Sequence, residues 1–319
     1  MVLAPRSLAY AHLALQSLFA NSEEALELSL ITDSAQDKDV LGAEMSLHPM
    51  RGKHTWSIYS ASDLEEREEA TFGRFDQLRA FRRGHPCWRK LTDPVLLSAE
   101  DQEMILLDPD LYFPNRFQFE ATPAAGILLM WQKPSCLFPP EVVETALAAG
   151  IPLAHHVDIG VAHWRCPVDL EWMNWLLNRL GSPALPRSMH VEAIVWAALA
   201  MRFGGGHLDP RHWRCWHRSQ YKRVLRKLGA SGARILRSEN LRHVKCFHAG
   251  GEAKWWLMEA QCQGILDRHQ TVTTSGATVP FIELTPPLYR KQQRLKEWLR
   301  RSGYYTIFQQ DYGTYSNRN

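Results

Sequence analysis

"MILLDPDLYFPNRF", residues 104–117, begins as an apolar run and stops at two aspartates separated by one proline. Proline at 109 disfavours helical geometry at Asp108 and restricts its own φ, so the segment is expected to be extended. Residues i and i+2 of an extended segment point to the same side, which predicts that Asp108 and Asp110 face one ligand. Carboxylates are hard oxygen donors that suit Mg²⁺ or Mn²⁺ bridging to phosphate oxygens. The stretch therefore indicates a metal–diphosphate site, with an acidic turn that merely ends the strand as the simpler alternative.

On either side of this stretch, apolar residues recur with the period of strands or with the period of helices. The predicted strands cover residues 1–4, 26–33, 56–59, 104–107, 126–131, 152–164 and 243–248. The predicted helices cover residues 8–18, 63–84, 140–150, 168–180, 190–202 and 286–301. Continuous apolar runs such as 104–107 are typical of strands covered on both faces. The alternation predicts an α/β fold with a mixed, mostly parallel sheet, helices on both faces and a C-terminal helical extension.

Composition narrows the class of protein. The chain has 319 residues, 45% of them hydrophobic and 22% charged, so it is long and apolar enough to bury a large core. A net charge of +3 does not indicate a nucleic-acid partner. No apolar stretch reaches the ~20 residues that span a bilayer, and Arg6, His12 and Gln16 interrupt a signal-peptide pattern, so we expect a cytoplasmic protein. The six cysteines include no C-x-x-C pair, which argues against a structural zinc site or a disulfide framework.

A second motif, FHAGGEAKWW at residues 247–256, lies far downstream of the two aspartates. His248 follows an apolar strand, Gly250 and Gly251 allow the backbone to approach a ligand closely, and Lys254 lies six residues beyond the histidine. Imidazole suits Mn²⁺ as a third ligand, and lysine supplies a positive charge to phosphate. Together with Asp108 and Asp110, this motif favours the metal–diphosphate interpretation over the acidic turn.

The two motifs resemble those of the GT-A nucleotide-sugar glycosyltransferases, in particular the glycogenin and bacterial galactosyltransferase family. In that family a D-x-D at a strand end is followed, far downstream, by H-F-x-G-x-x-K-P-W. His248, Gly251, Lys254 and Trp256 match this pattern in register, whereas Ala249 and Trp255 replace its Phe and Pro. The resemblance implies a GT-A-like (Rossmann-like) catalytic domain at residues 1–260, a C-terminal extension at 261–319, a Mn²⁺ or Mg²⁺ cofactor and a nucleotide-sugar donor, most readily a UDP-sugar.

The resemblance also implies roles for individual residues. Asp110 and His248 would bind the metal, Asp108 the metal or the nucleotide ribose, and Lys254 the diphosphate, with Gly251 beside it. Two less specific matches lie in the first strand–helix–strand unit. Tyr10 corresponds to a tyrosine that stacks on uracil, and Asp33, at the end of the second strand, to an acid that contacts the base.

Candidate catalytic residues come from two further segments. VDIGV (157–161) resembles the family's F-N-S-G-V, so Asp158 would bind a sugar hydroxyl. HVEAIV (190–195) resembles D-Q-D-(A/I)-(L/I)-N only in part, because His190 and Val191 replace its first two residues. Glu192 is thus a candidate base or sugar ligand, a structural acid at a helix N-terminus is the alternative, and retention or inversion of configuration stays open.

The histidines near Asp158 raise a rival interpretation, namely a His/Asp metal cluster for hydrolysis built from His155, His156 and His163. Strand alternation predicts that His155 and His156 point to opposite faces, which favours packed or hydrogen-bonded histidines instead.

The sequence thus predicts a metal-dependent glycosyltransferase of the hexosyltransferase type acting on an unknown glycan, lipid-linked or protein acceptor. A nucleotidyltransferase is the alternative enzyme, although the Gly-Ser pair that such enzymes need upstream of the aspartates does not precede Asp108. A non-catalytic protein that binds sugar nucleotides or a partner, with a degenerate glycosyltransferase fold, is the third alternative. The basic, amphipathic segment 286–301 predicts either a helix packed on the domain or a peripheral contact with the cytoplasmic face of a membrane.

Overall fold

The computed structural model describes residues 1–48, 53–99, 101–165, 168–266, 268, 270–272, 278–304 and 306. Within them the strands are β1 (Glu27–Ile31), β2 (Thr55–Tyr59), β3 (Glu103–Leu107), β4 (Leu111–Tyr112), β5 (Arg116–Phe117), β6 (Ile127–Trp131), β7 (Val157–Arg165), β8 (Gly205–His207), β9 (Trp213–Cys215), β10 (Cys246–His248), β11 (Thr271–Val272) and β12 (Val279–Pro280). The helices are α1 (Leu8–Asn21), α2 (Ala35–Ser46), α3 (Glu65–Phe72), α4 (Asp76–Gly84), α5 (Arg89–Leu97), α6 (Pro140–Ala148), α7 (Leu170–Leu180), α8 (Val191–Phe203), α9 (Gln220–Lys227), α10 (Gly232–Leu236), α11 (Leu257–Cys262) and α12 (Pro286–Arg301). Short 3₁₀ turns cover Pro5–Ser7, Ser62–Leu64, Pro86–Trp88 and Ala253–Trp256.

The strands form one large sheet and two small ones. The large sheet has the order β12-β8-β6-β9-β10-β4, and β7 pairs with both β6 and β3. Strands β1 and β2 form a separate parallel pair, to which the predicted first strand contributes a single bridge between Val2 and Ile31. The small parallel pair of β5 and β11 and the pairing of β12 with β8 join segments on either side of residue 260. The division into domains at that residue stays a prediction.

Helices cover both faces of the large sheet, as predicted. Along β6, Ile127 and Leu129 pack into a core with α4 to α8, while Leu128 and Met130 pack into a second core with α1, α2, β1 and β2. Successive side chains of a strand point to opposite faces, so the two cores lie on opposite sides of the sheet. The mixed α/β architecture with a C-terminal helix is therefore confirmed.

Strand direction in the large sheet differs from the mostly parallel pattern expected from the sequence. Its longest pairings, β3 with β7 and β6 with β7, are antiparallel, whereas β6 runs parallel to β8 and β9. An apolar run shows that a strand is covered on both faces, and an antiparallel strand inside a covered sheet carries the same pattern. The apolar runs therefore could not fix the direction of these strands.

The helix predicted over residues 63–84 is two helices, because α3 ends at Phe72 and α4 begins at Asp76. The predicted strand at 152–164 shortens to β7, and His155 and His156 lie in the turn before it. Their ring centroids are 3.6 Å apart, so the expectation that the two rings point to opposite faces is wrong: a turn does not alternate as a strand does. Among the described residues, none of the groups able to hold a metal includes His155, His156 or His163. No helix within the described ranges is both long and apolar enough to cross a membrane.

Candidate active site

Two distant segments of the chain, β7 and the end of β10, pack against Asp108–Pro109–Asp110, and main-chain hydrogen bonds fix them there. The amide of Asp108 donates to the carbonyl of Gly160 on β7 at 2.9 Å, and the amide of Ala249 donates to the carbonyl of Asp110 at 2.9 Å. Leu111 of β4 pairs with His248 of β10 in antiparallel register. The aspartates occupy a turn rather than the extended segment expected, yet both carboxylates still point towards His248.

The imidazole of His248 lies at the centre of this cluster. Its Nε2 is 3.2 Å from Asp110 Oδ1 and 3.9 Å from Asp108 Oδ2, and all three side chains are buried or nearly so. One nitrogen and two carboxylate oxygens, all within 4.8 Å of one another, can hold a single ion. Two hard oxygen donors and one imidazole suit Mn²⁺ and also accept Mg²⁺, so the donor set fits the predicted metal.

The charges of the cluster are strongly coupled. Burial by itself would lower the pKa of His248, but the carboxylates of Asp158 and Asp110 outweigh it and raise that pKa well above its usual range. Burial would raise the pKa of Asp110, but His248, Lys254 and Lys90 hold it well below its usual range. The arrangement places a positive charge between carboxylates, which is the electrostatic position that a divalent cation would take.

Asp158 orients the imidazole of His248 through the second ring nitrogen, Nδ1. Its Oδ1 accepts hydrogen bonds from His248 Nδ1 at 2.8 Å and from the amide of Gly160 at 2.9 Å. A Cβ atom at position 160 would lie only 2.6 Å from His248 Nδ1, so glycine is needed there for the ring to approach β7. A carboxylate that holds the second nitrogen of a metal-binding histidine fixes its tautomer and direction. These contacts make Asp158 a positioning residue, and its direct contact with a sugar stays a prediction.

The predicted diphosphate and base residues lie together beside the cluster. Lys254 Nζ is 3.5 Å from Asp110 Oδ2 and 4.8 Å from the centroid of the Tyr10 ring. That ring also makes an edge contact with Trp255, with ring centroids 5.2 Å apart. Gly251 adopts a φ of 68° in the turn between β10 and Lys254, a conformation that favours glycine. The structure therefore places Lys254 and the Tyr10 ring next to Asp110, and their roles towards a diphosphate and a base stay predictions.

Lys90 is the site residue that the sequence did not indicate. Its Nζ lies 2.7 Å from Asp108 Oδ1 and 2.9 Å from Glu192 Oε1, and all three side chains are almost fully buried. Burial would lower the pKa of Lys90, but the carboxylates of Asp108 and Glu192 raise it well above its usual range. A single lysine within RKLTDPVLL carries no motif, so only the fold reveals this residue.

Glu192 reaches the cluster through Lys90, at the first turn of α8. Its Oε2 is buried and has no hydrogen-bond partner among the residues that the structure describes. Burial is the main cause that raises the pKa of Glu192 to about 8, against the opposing effect of Lys90. An unpartnered buried carboxyl oxygen is costly unless a ligand uses it, which keeps Glu192 a candidate for contact with the reacting sugar.

Asp33 lies at the end of β1, where its Oδ1 pairs with Arg89 Nη2 at 2.7 Å. Helix α5 thus carries both the partner of Asp33 and, in Lys90, the partner of Asp108, while contact of Asp33 with the base stays a prediction. A fourth residue beside His248 is Cys215, which forms a group with Asp158 and His248 that could also hold a metal. Cys215 stands in no C-x-x-C pair, so the sequence did not indicate it as a metal ligand.

Comparison with known proteins gives a structural match only. No protein-family model matches the sequence, and no curated protein matches it. Solved structures that resemble the fold include that of mouse xyloside xylosyltransferase 1 in its apo form, with 17% sequence identity and a TM-score of 0.46. The match covers 78% of this chain and 93% of that chain. Identity and TM-score at these levels do not establish a shared activity, and the resemblance to the glycogenin and bacterial galactosyltransferase family stays a prediction.

Proposed function

We propose that this protein is a metal-dependent glycosyltransferase that transfers a sugar from a nucleotide-sugar donor, of the UDP-sugar class, to an acceptor. The observation that supports it best is the convergence of Asp108, Asp110 and His248 on one point, with Lys254 3.5 Å from Asp110. Two carboxylates, one imidazole and an adjacent lysine are suited to bind a diphosphate through a divalent ion.

In this proposal, each residue has a distinct task in the departure of the nucleotide. Asp108, Asp110 and His248 hold Mn²⁺ or Mg²⁺, which when bound neutralises the charge that develops on the diphosphate leaving group. Lys254 would donate to a phosphate oxygen of the donor, and Tyr10, a buried ring that contacts Lys254, is proposed to lie beside the base. Asp158 keeps His248 in the direction that the metal requires. Lys90 and Glu192 border the same cluster, where Glu192 is proposed to contact the sugar or the attacking hydroxyl.

A donor screen tests this proposal. The full chain is incubated with UDP- and GDP-sugars in the presence of Mn²⁺, with and without acceptor extracts, and the release of UDP or GDP is measured. We expect UDP release that chelation of the metal abolishes and Mn²⁺ restores. Release of pyrophosphate from a nucleoside triphosphate and a sugar phosphate would favour the nucleotidyltransferase instead. Tight binding of UDP-sugars without turnover in any mixture would favour a non-catalytic binding protein.

The proposed acceptor side includes a membrane surface formed by α9 and α12. Both helices are basic and carry exposed apolar side chains, with Tyr221 66% and Leu228 78% exposed on or next to α9 and Leu295 57% and Trp298 64% exposed on α12. Tyr304, three residues after α12, contacts α9: its hydroxyl donates to Gln220 and its ring lies 5.5 Å from the guanidinium of Arg223. Aromatic and apolar side chains amid bases are suited to the headgroup region of an anionic bilayer, where lipid-linked acceptors lie.

Arg294→Glu is expected to weaken binding to anionic lipid vesicles by ~10-fold or more, because each base near an anionic surface contributes ~1 kcal/mol and the change also adds a negative charge. Co-sedimentation with phosphatidylserine-containing vesicles measures the effect, and pure phosphatidylcholine vesicles report the contribution of charge. Arg179→Glu makes the same exchange at an exposed position on α7 and should leave binding unchanged. Equal sedimentation of the wild type with both vesicle types would contradict the proposed surface.

A further inference from the structure

A second cluster of side chains that could hold a metal lies on α1 and at the end of α2, separate from the site proposed for transfer. His12 of α1 points its Nδ1 at Glu44 Oε1 at 2.6 Å. His48, just after α2, points its Nε2 at the same oxygen at 3.0 Å. The three ligand atoms all lie within 4.8 Å of one another.

The local sequence explains why these side chains meet. Glu44 and His48 are four residues apart on one face of the end of α2, while Leu41 and Met45 bury the neighbouring face in the core. His48 also packs against His12 and Phe19 of α1, with ring centroids 4.9 and 6.0 Å away. The end of α2 is thereby held against α1, and both imidazoles converge on one carboxylate.

The distances are close to those of a bound ion. Tetrahedral Zn²⁺ with ligand bonds of ~2.0–2.1 Å separates its ligand atoms by roughly 3.3 Å. The two nitrogen–oxygen distances of 2.6 and 3.0 Å need to open by only a fraction of an ångström to reach that spacing. Side-chain rotation of Glu44 and of the half-exposed His12 supplies such a change without moving either helix.

Burial leaves one side of the cluster open. The side chain of His48 is 2% exposed and that of Glu44 is 14% exposed, whereas that of His12 is 39% exposed. An ion can therefore enter from solvent at the His12 side and keep water there as a fourth ligand. Two imidazoles, one carboxylate and an open position are a set of ligands that zinc commonly uses.

We propose that His12, Glu44 and His48 form a zinc site that joins α1 to the end of α2. Its donors differ from those of the transfer site, because two imidazoles favour Zn²⁺ whereas Asp108 and Asp110 favour Mn²⁺ or Mg²⁺. The bound ion fixes the helix that carries Tyr10, two residues before His12, and stabilises the folded chain by mass action. This site does not depend on the proposed transferase activity.

The test measures Zn²⁺ binding to the full chain by equilibrium dialysis, and the absorption spectrum of the Co²⁺-substituted protein. We expect one tetrahedral site, and we expect its affinity for Zn²⁺ to fall in His12→Ala and in His48→Ala. The fall should exceed ~10–100-fold, which is the usual cost of losing a residue that only hydrogen-bonds to a metal ligand. Asp110→Asn should retain this site. His217→Ala removes an exposed histidine near α9 and serves as the matched control.

Glu44→Gln separates metal binding from the hydrogen-bonded cluster. The amide still offers an oxygen and a donor to the two histidines, so the helices stay packed, but it is a poor zinc ligand. We expect normal circular dichroism, weaker Zn²⁺ binding and no rise in the melting temperature with added Zn²⁺. Full Zn²⁺ occupancy in His12→Ala and Glu44→Gln would overturn the proposal. It would also be overturned if the tetrahedral Co²⁺ spectrum were lost in Asp110→Asn but kept in the variants of His12, Glu44 and His48.

Discussion

Asp110→Asn is expected to lower the turnover of a UDP-sugar by ~10³-fold, since a metal ion supplies several kcal/mol of charge stabilisation in the transition state. The amide is nearly the same shape as the carboxylate, so the turn between β3 and β4 is preserved. It loses the negative charge that is proposed to bind the ion and that faces both His248 and Lys254. Isothermal titration with UDP, with and without Mn²⁺, separates the loss of metal-dependent binding from the loss of turnover.

Asp39→Asn makes the same exchange on the exposed face of α2 and should leave both measurements unchanged. UDP binding that needs no metal in the wild type, and that survives in Asp110→Asn, would contradict the assignment of the cluster. Binding that survives while turnover is lost would instead assign Asp110 to the chemical step alone.

Lys90→Met is expected to lower the free energy of unfolding by ~3–5 kcal/mol, the usual cost of removing one partner from a buried ion pair. Methionine has a similar shape, so the cavity is small and the main loss is electrostatic. Asp108 then takes up a proton or stays charged with only the more distant His248, at 3.9 Å, beside it. Protonating an ordinary carboxyl at pH 7 costs about 4 kcal/mol at ~1.4 kcal/mol per pKa unit. Urea-induced unfolding followed by circular dichroism gives the value.

A double-mutant cycle with Glu192→Gln shows how much of the stability lost in Lys90→Met depends on Glu192 rather than on Asp108. If both carboxyls depend on Lys90, the double variant should be less destabilised than the sum of the two single variants. Lys291→Met replaces an exposed lysine of α12 and should change the free energy of unfolding by no more than ~0.5 kcal/mol. A loss below ~1 kcal/mol in Lys90→Met would mean that water solvates these groups more than their burial indicates.

Local sequence patterns predicted much of the fold, and their failures have physical causes. Helix α12 begins at Pro286 and ends at Arg301, as its proline start and amphipathic pattern predict. Helix α2 was missed because Leu41 and Met45 are its only buried residues, too few to draw a stripe. Helix α5 was missed because it contains Pro94, which usually ends a helix.

For the site, the sequence indicated residues that stand in motifs and missed those that stand alone. Asp108, Asp110, His248 and Lys254 belong to spaced patterns, and the structure brings all four together. Lys90 reaches Asp108 only through the packing of α5 against β3, which no local pattern encodes. Asp158 also stands in a motif, but its hydrogen bond to His248 depends on where β10 pairs, which that motif does not encode.

The pairing of β4 with β10 also has a consequence for how the protein is made. Asp108 and Asp110 leave the ribosome long before His248 and Lys254, and the pairing that unites them closes a very long loop. Contacts between residues so distant in sequence form slowly, because the entropy of closing the loop is lost before the contacts compensate for it. A nascent chain that ends before β10 therefore lacks two of the four groups proposed to bind a metal diphosphate. Until His248 has been made, the carboxylates of Asp108, Asp110 and Asp158 lack the imidazole that lies among them in the folded chain.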